Sequence, residues 1–584
     1  MPRFLLTLTL LTVCLGTLPA LDVESASEAA PEDERLIILQ AMRTELDRSM
    51  EELKLEDYDG PYFMAYLVTD ERQNQIAASN GAVASERGGH ARNGYVEVRC
   101  GDYELDNTRA GTGMGLMFYF GRGTNPLPIE NDPIALRTAL WQITDQTYKK
   151  AIRDLLTRRG EEVMKVEQED RPDDFTPGEP HHHVDPPLDV ELDEDAWRDR
   201  LRTLSALFDE HAWIESSSVV MRVEHLTQWY ANSEGSEIIQ EQQMWSLYAE
   251  CSTTAPEDGQ PISHVIVHNR TSLDDMPSDE ALASDIETLI AELDALRHAP
   301  VLDPYTGPAL LAPDVTGVLF HEALGHRLEG ERQRDDDSSG QTFAGKIGDK
   351  VIPEFLSVID DPTLERFNGI GVDGHYRYDQ EGHPAERVPL IENGILRNYL
   401  MSRTPNEYQT QSNGHGRSDG LHDPEARMAT LIIESTMDLT EDELRQRLIE
   451  ECRAQGKEFG LIVRDISGGF TNTSHYGFQA FAEHPRMVHR VNVETGEEQL
   501  VRGVDIVGTP LASINKIVAT GGEPDLFNGF CGAGSGTVPQ AEIAPWALST
   551  EIEVQRSQTE NRRPPILPAP FTEPRQEDQD DAGS

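Results

Sequence analysis

Residues Gly317 to Glu331 read GVLFHEALGHRLEGE, and the spacing inside that stretch restricts the backbone more than any other feature of the chain. His321 and His326 flank Glu322 and stand five residues apart. An α-helix turns about 100° per residue, so a four-residue spacing leaves two rings about 40° apart and a five-residue spacing about 140° apart. A regular helix over Val315 to Arg334 therefore cannot aim both imidazoles at one point. Either the histidines are incidental, or the helix is irregular between them. A one-turn π-bulge restores a common face, and Gly325, with no side chain, eases such a distortion.

The residue types suit a metal hydrolase. Zinc takes imidazole, thiolate and carboxylate ligands, and a catalytic site keeps one position open. His321 and His326 are candidate ligands, and Glu322 is a candidate general base and acid. Val318, Leu319 and Phe320 supply an apolar face that anchors the helix in a core. Glu329, eight residues after His321, is either a carboxylate that orients a ligand from behind or an ordinary surface charge. A third ligand must come from elsewhere. Cys531 lies in the glycine-rich stretch FNGFCGAGSGTVPQ and would supply a thiolate; the bland alternative is a small buried apolar residue. The triplet His181 to His183 reads as solvated loop residues.

At 584 residues the chain exceeds a single core. Helical spacing marks Glu32–Leu53, Pro133–Leu156, Asp195–Phe208, Ser278–Arg297 (with Ser278 as N-cap) and Asp438–Gln455. Alternating runs with short turns mark strands at YFMAYLV, QIAASNGAV and YVEVRC, in a meander over about 216–254, and repeatedly after residue 305. The fold class is α+β. An N-terminal α/β domain (21–300) carries an acidic, Pro-rich insertion near 170–195, and a strand-rich C-terminal domain (301–556) carries the motif helix. The tail, 557–584, is poor in large apolar residues and reads as disordered.

The formal net charge of −54 disfavours nucleic acid and anionic lipid surfaces. Residues 1–20 read as a signal peptide, which implies an exported protein, with an uncleaved N-terminal anchor as the alternative. Cys100 and Cys251 would then be able to pair.

The segments HEALGHRLEGE, NGHGRS (413–418), LIVRDISGGFTN (461–472), VRGVDIVGTPLASINKIVATG (501–521) and FNGFCGAGSGTVP (527–539) together resemble the TldD/PmbA family, in its metal-bearing, TldD-like branch. That resemblance implies a C-terminal domain built on a curved sheet or barrel. It implies Zn²⁺ held by His321, His326 and Cys531, with Glu322 as base and acid in a metallopeptidase that cleaves unfolded or flexible peptides. It also implies an enclosed dimer, either a homodimer or a heterodimer with a PmbA-like paralogue. His415 and Arg417 lie in one of the resembling loops, where they would bind a substrate carboxylate or the oxyanion, or simply shape the loop. Two other readings stand beside this one. The metal would be structural in a non-catalytic peptide-binding partner. Alternatively, EECRAQ (450–455) would offer Glu451 as a ligand in the manner of dipeptidyl peptidase III.

Overall fold

The computed structural model describes residues 33–108, 125–164, 171–334, 341–473 and 481–557, with Arg562, Pro565 and Leu567. The signal segment expected at 1–20 lies outside the described residues, as does nearly all of the tail beyond 557. Among the described residues no helix is long and apolar enough to cross a membrane. The Cys100–Cys251 pairing that the sequence left open does not form: both thiols are free, and they are buried in separate cores. The reading of a signal peptide and an exported chain is corrected accordingly, since no described element supports it.

The N-terminal domain is a six-stranded sheet covered by helices. Its first two strands, Phe63–Ser79 and Ala82–Arg99, form one long hairpin. The sequence reading broke this hairpin into three runs because Asp70–Gln75 interrupts the apolar alternation. The turn is Asn80-Gly81, with both residues at positive φ (50° and 71°), as a tight type I′ turn requires. Strands Ser216–Asn232, Glu237–Thr254 and Pro261–Arg270 continue the sheet antiparallel. Met64, Tyr66 and Val68 face helices Arg35–Glu52 and Pro133–Met164. Ile76 and Ala78 face helices Glu194–Ala206 and Asp279–His298. Ser278 caps the last of these, accepting from Ala281 N at 3.3 Å.

The Pro-rich segment is no free linker. Phe175 is fully buried and packs 5.0 Å from the Phe63 ring. His182–Val184 pairs in parallel with Glu237–Ile239. Arg403 of the C-terminal domain stacks over both Phe63 and Phe175. Its backbone carbonyl accepts from Thr176 N at 3.0 Å, and Gln240 exchanges hydrogen bonds with the Tyr378 backbone. This seam fixes the two domains against each other.

The C-terminal sheet closes on itself. Strand Tyr305–Leu311 pairs with Phe459–Thr471, which pairs with Phe481–Asn492, which pairs with Val504–Gly508. Gly536–Arg556 joins Val504–Gly508 on one side and Tyr305–Leu311 on the other, completing a barrel. The long strand Ile517–Ala533 forms a hairpin with Gly536–Arg556, and Thr430–Ser435, Leu356–Asp360 and Val388–Glu392 extend the sheet outward. Helix Glu441–Ala454 carries a capping box from Thr440 and Glu443. The motif helix, Pro313–Ala323, is packed against the barrel and opens with Pro at its first position, where a missing N–H costs nothing. Phe175→Ala is expected to cost about 3–5 kcal/mol. Urea unfolding measures it, and a loss below about 1 kcal/mol contradicts the seam described.

Candidate metal centre

The five-residue spacing is solved by ending the helix. The α-helix stops at Ala323, Leu324 leaves helical geometry (φ −123°, ψ −54°), and Gly325–Arg327 form a single 3-10 turn. The expected π-bulge does not occur. Gly325 serves packing, not backbone freedom: a Cβ there would sit 1.9 Å from Met428 Sδ. The break rotates His326 back towards His321, and their ring centroids lie 4.8 Å apart at an interplanar angle of 89°.

Cys531 reaches the pair from the hairpin strand, more than 200 residues away. Its Sγ lies 3.2 Å from His321 Nε2 and 3.4 Å from His326 Nε2. The three donor atoms fall within 4.8 Å of one another, all buried, and form the one such group among the described residues. A tetrahedral zinc with Zn–N about 2.05 Å and Zn–S about 2.3 Å holds N and S about 3.6 Å apart. Both observed N–S separations are within a few tenths of an ångström of that. The donor set, two imidazoles and a thiol, fits zinc and leaves a fourth position for solvent or substrate.

Both imidazoles are backed by carboxylates. Glu329 Oε1 lies 2.9 Å from His326 Nδ1. Glu542 Oε1 lies 2.7 Å from His321 Nδ1, off the axis of a good hydrogen bond. Such partners set the tautomer that leaves Nε2 free for a metal. Gly317 makes room for the second: a Cβ there would come within 2.6 Å of Glu542 Cβ. Burial raises Glu329, but Arg332 and His326 outweigh it and hold the carboxyl near about 2. Burial also opposes ionisation of the Cys531 thiol, yet the His326 and His321 rings draw it well below its ordinary value. Glu322 is raised by burial, partly offset by the same two rings.

Arg427 joins the two arms. Fully buried, it donates to Cys531 O at 2.8 Å and Ser535 Oγ at 2.9 Å, and its Nε stands 3.8 Å from Glu329 Oε1. The sequence reading named neither Arg427 nor Glu542. The signal for Glu542 is an acidic residue inside the apolar strand run AEIAPWAL.

The other expected residues are not among the three donors. His415 is fully buried, hydrogen-bonded to Asn413 and set 3.3 Å from Asp360. Arg417 donates to Met428 O at 2.6 Å and stacks over Tyr376. Both hold the loop around 413–430 together. Glu451 lies on the outer helix, accepting from Gln455 Nε2, so it offers no ligand here. The histidine triplet lies in the N-terminal domain, with His183 bonded to Asp185 at 2.7 Å.

A family profile described as PmbA/TldA metallopeptidase C-terminal domain matches residues 304–554. A metalloprotease of Methanocaldococcus jannaschii is 32% identical over 232 residues, which is 39% of this chain and 46% of that protein. A zinc metalloprotease TldD homolog of Saccharolobus solfataricus is 27% identical over 250 residues, 42% of this chain and 51% of that protein. The chain thus spans about half the length of the curated relatives it matches. The crystal structure of TldE from Thermococcus kodakarensis superposes with a TM-score of 0.57 at 14% identity, covering 88% of this chain and all of that one, a likeness of fold. Replacing Glu542 or Glu329 by Gln is expected to weaken zinc affinity about 10- to 100-fold. Competition with a chelating dye reads it, and unchanged affinity in both variants contradicts the backing role.

Proposed function

We propose that this chain, whose residues 304–554 match the PmbA/TldA metallopeptidase C-terminal domain, is a zinc-dependent peptidase of the TldD/PmbA family acting on unfolded or flexible peptides. The observation that carries the reading is the buried convergence of His321, His326 and Cys531 beside Glu322. When bound, zinc supplies Lewis-acid polarisation of the scissile carbonyl and of water. Glu322 takes a proton from the attacking water at its carboxylate and returns it to the leaving amine. Its burial, offset by the two imidazoles, keeps that carboxyl more basic than an exposed one.

The substrate reading rests on a strand edge. Strand Phe459–Thr471 pairs with Tyr305–Leu311 only over Leu461–Val463. From Asp465 to Thr471 that edge has no strand partner among the described residues, and Gly469 there abuts Glu322. An extended peptide added along this edge gains main-chain hydrogen bonds without demanding particular side chains. Exposed Phe470 (66%) and Phe530 (46%) add apolar surface beside the site for a substrate or a second subunit. The active assembly on this reading is a homodimer, or a heterodimer with a PmbA-like paralogue that lacks the motif.

Glu322→Gln is expected to keep stoichiometric zinc and lose at least about 100-fold in kcat on a flexible peptide, in line with the usual size of general acid–base catalysis. Metal analysis and peptide cleavage read the two effects. Cleavage at the wild-type rate contradicts the assignment of the base. A zinc-loaded wild type that binds peptides and cleaves none favours the binding-partner reading.

A further inference from the structure

Ending the motif helix at Ala323 changes what holds the Glu322 backbone. In a continuing α-helix its carbonyl would accept from the N–H four residues on, that of His326. Here the buried Arg327 guanidinium donates to it, Nη1 to O, at 2.6 Å. The same Nη1 donates to Thr471 Oγ1 at 3.1 Å, and Nη2 donates to Asn472 O at 3.2 Å. One planar, forked group thus spans from the base to the end of strand Phe459–Thr471.

That strand is the one whose edge, from Asp465 to Thr471, has no strand partner among the described residues. Its other side does not hold it evenly either. The register against Phe481–Asn492 slips three times between Val463 and Gly469, and such slips bend a strand and interrupt its ladder. Arginines bracket the irregular stretch. Arg486 holds Asp465 with two bonds, at 2.7 and 2.6 Å, and Arg327 holds Thr471 and Asn472 at the other end. Between them lies Gly469, where a Cβ would come within 2.7 Å of Glu322 Cγ. Arg332 adds a second tie. Its Nη1 donates to Thr473 Oγ1 at 3.0 Å, and its Nε donates at 2.5 Å to Glu329, the carboxylate behind His326. The far end of the edge is therefore anchored to the backbone of the base and to the support of a metal ligand.

We propose that Arg327 is a positioning residue for the peptide substrate: it locks the end of the free strand edge to the backbone of Glu322, so that a peptide bond laid along that edge stands at a fixed distance from the base. The proposal rests on the reading of the edge as the peptide's dock and of Glu322 as the base. Misplacing a bound substrate by about 1 Å can cost about 100-fold in rate, so a tie of this kind has a large effect without touching the reacting atoms.

The test compares zinc-loaded wild type, Arg327→Met, Thr471→Val and the double variant for kcat and KM on an unstructured fluorogenic peptide, with bound zinc and Tm measured on each. Arg327→Met keeps much of the volume and removes every donor. It is expected to hold stoichiometric zinc while kcat falls about 10-fold or more with KM within about 2-fold, because the peptide still docks but is no longer aimed. Thr471→Val removes a single acceptor on the strand side, and is expected to lower kcat about 3- to 10-fold with zinc and Tm unchanged. The double variant is expected to be no slower than Arg327→Met, since Thr471 has then already lost its donor. Wild-type kcat in Arg327→Met overturns the proposal, and so does a double variant whose loss is the product of the two single losses. Zinc lost in step with kcat overturns it too, marking a residue that serves the metal site. Where Arg327→Met does not fold, Thr471→Val decides alone, and wild-type kcat there overturns the proposal. Two results strike the underlying readings instead. A zinc-loaded wild type that cleaves no peptide removes the peptidase. A wild type that cleaves a peptide N-methylated at alternate residues, outside the cleaved bond, as fast as the plain one removes the strand edge as the dock.

Discussion

The architecture is organised around one electrostatic problem: holding a thiol and two imidazoles within 4.8 Å of one another in a buried place. Bare donors at that distance repel or must share protons, and a divalent cation is what resolves them together. The closed barrel makes the arrangement possible. It brings Gly536–Arg556 against the motif helix and carries the Cys531 hairpin with it, so a residue 210 positions from His321 arrives at hydrogen-bond range. The rigid strands, not the loop, set the sulfur's position.

Close approach recurs around the site. Gly317 admits Glu542, Gly325 admits Met428, and Gly469 admits Glu322. In each case a missing Cβ lets a functional or supporting side chain come nearer than any other residue would allow. Carboxylates then form two groups: Glu329 and Glu542 behind the imidazoles, and Glu483 within electrostatic reach of Glu322 and Asp314. The two sets differ in state. Arg332 and His326 hold the Glu329 carboxyl well below the ordinary range, whereas burial among like charges pushes that of Glu483 well above it.

Much of this was legible in the sequence, for identifiable reasons. His321, Glu322 and His326 announce themselves by type and spacing, and the 140° offset correctly demands an irregular backbone. The form of that irregularity was not legible, because it depends on Met428 packing against Gly325, a contact 100 residues distant. Cys531 was a candidate through its thiol, its glycine-rich setting and the family resemblance. Arg427 was invisible because it looks like an ordinary charge until barrel closure buries it, and Glu542 left only the faint signal of an acidic residue in an apolar strand run. His415 and Arg417 drew notice by sitting in a glycine loop, where they bond to Asn413 and to the Met428 carbonyl. The Asn80-Gly81 hairpin was missed although its turn dipeptide is a strong signal, since polar residues at 70–75 hid the strand's continuity. The Pro-rich segment misled by composition: Phe175, the Thr176 hydrogen bond and the His182–Val184 pairing anchor it.

X-ray absorption at the metal edge of the zinc-loaded protein tests the centre of this account most directly. The structure predicts two imidazole nitrogens at about 2.0–2.1 Å and one sulfur at about 2.3 Å, with a light-atom ligand completing the shell. A shell of nitrogen and oxygen alone, with no sulfur scatterer, would contradict it.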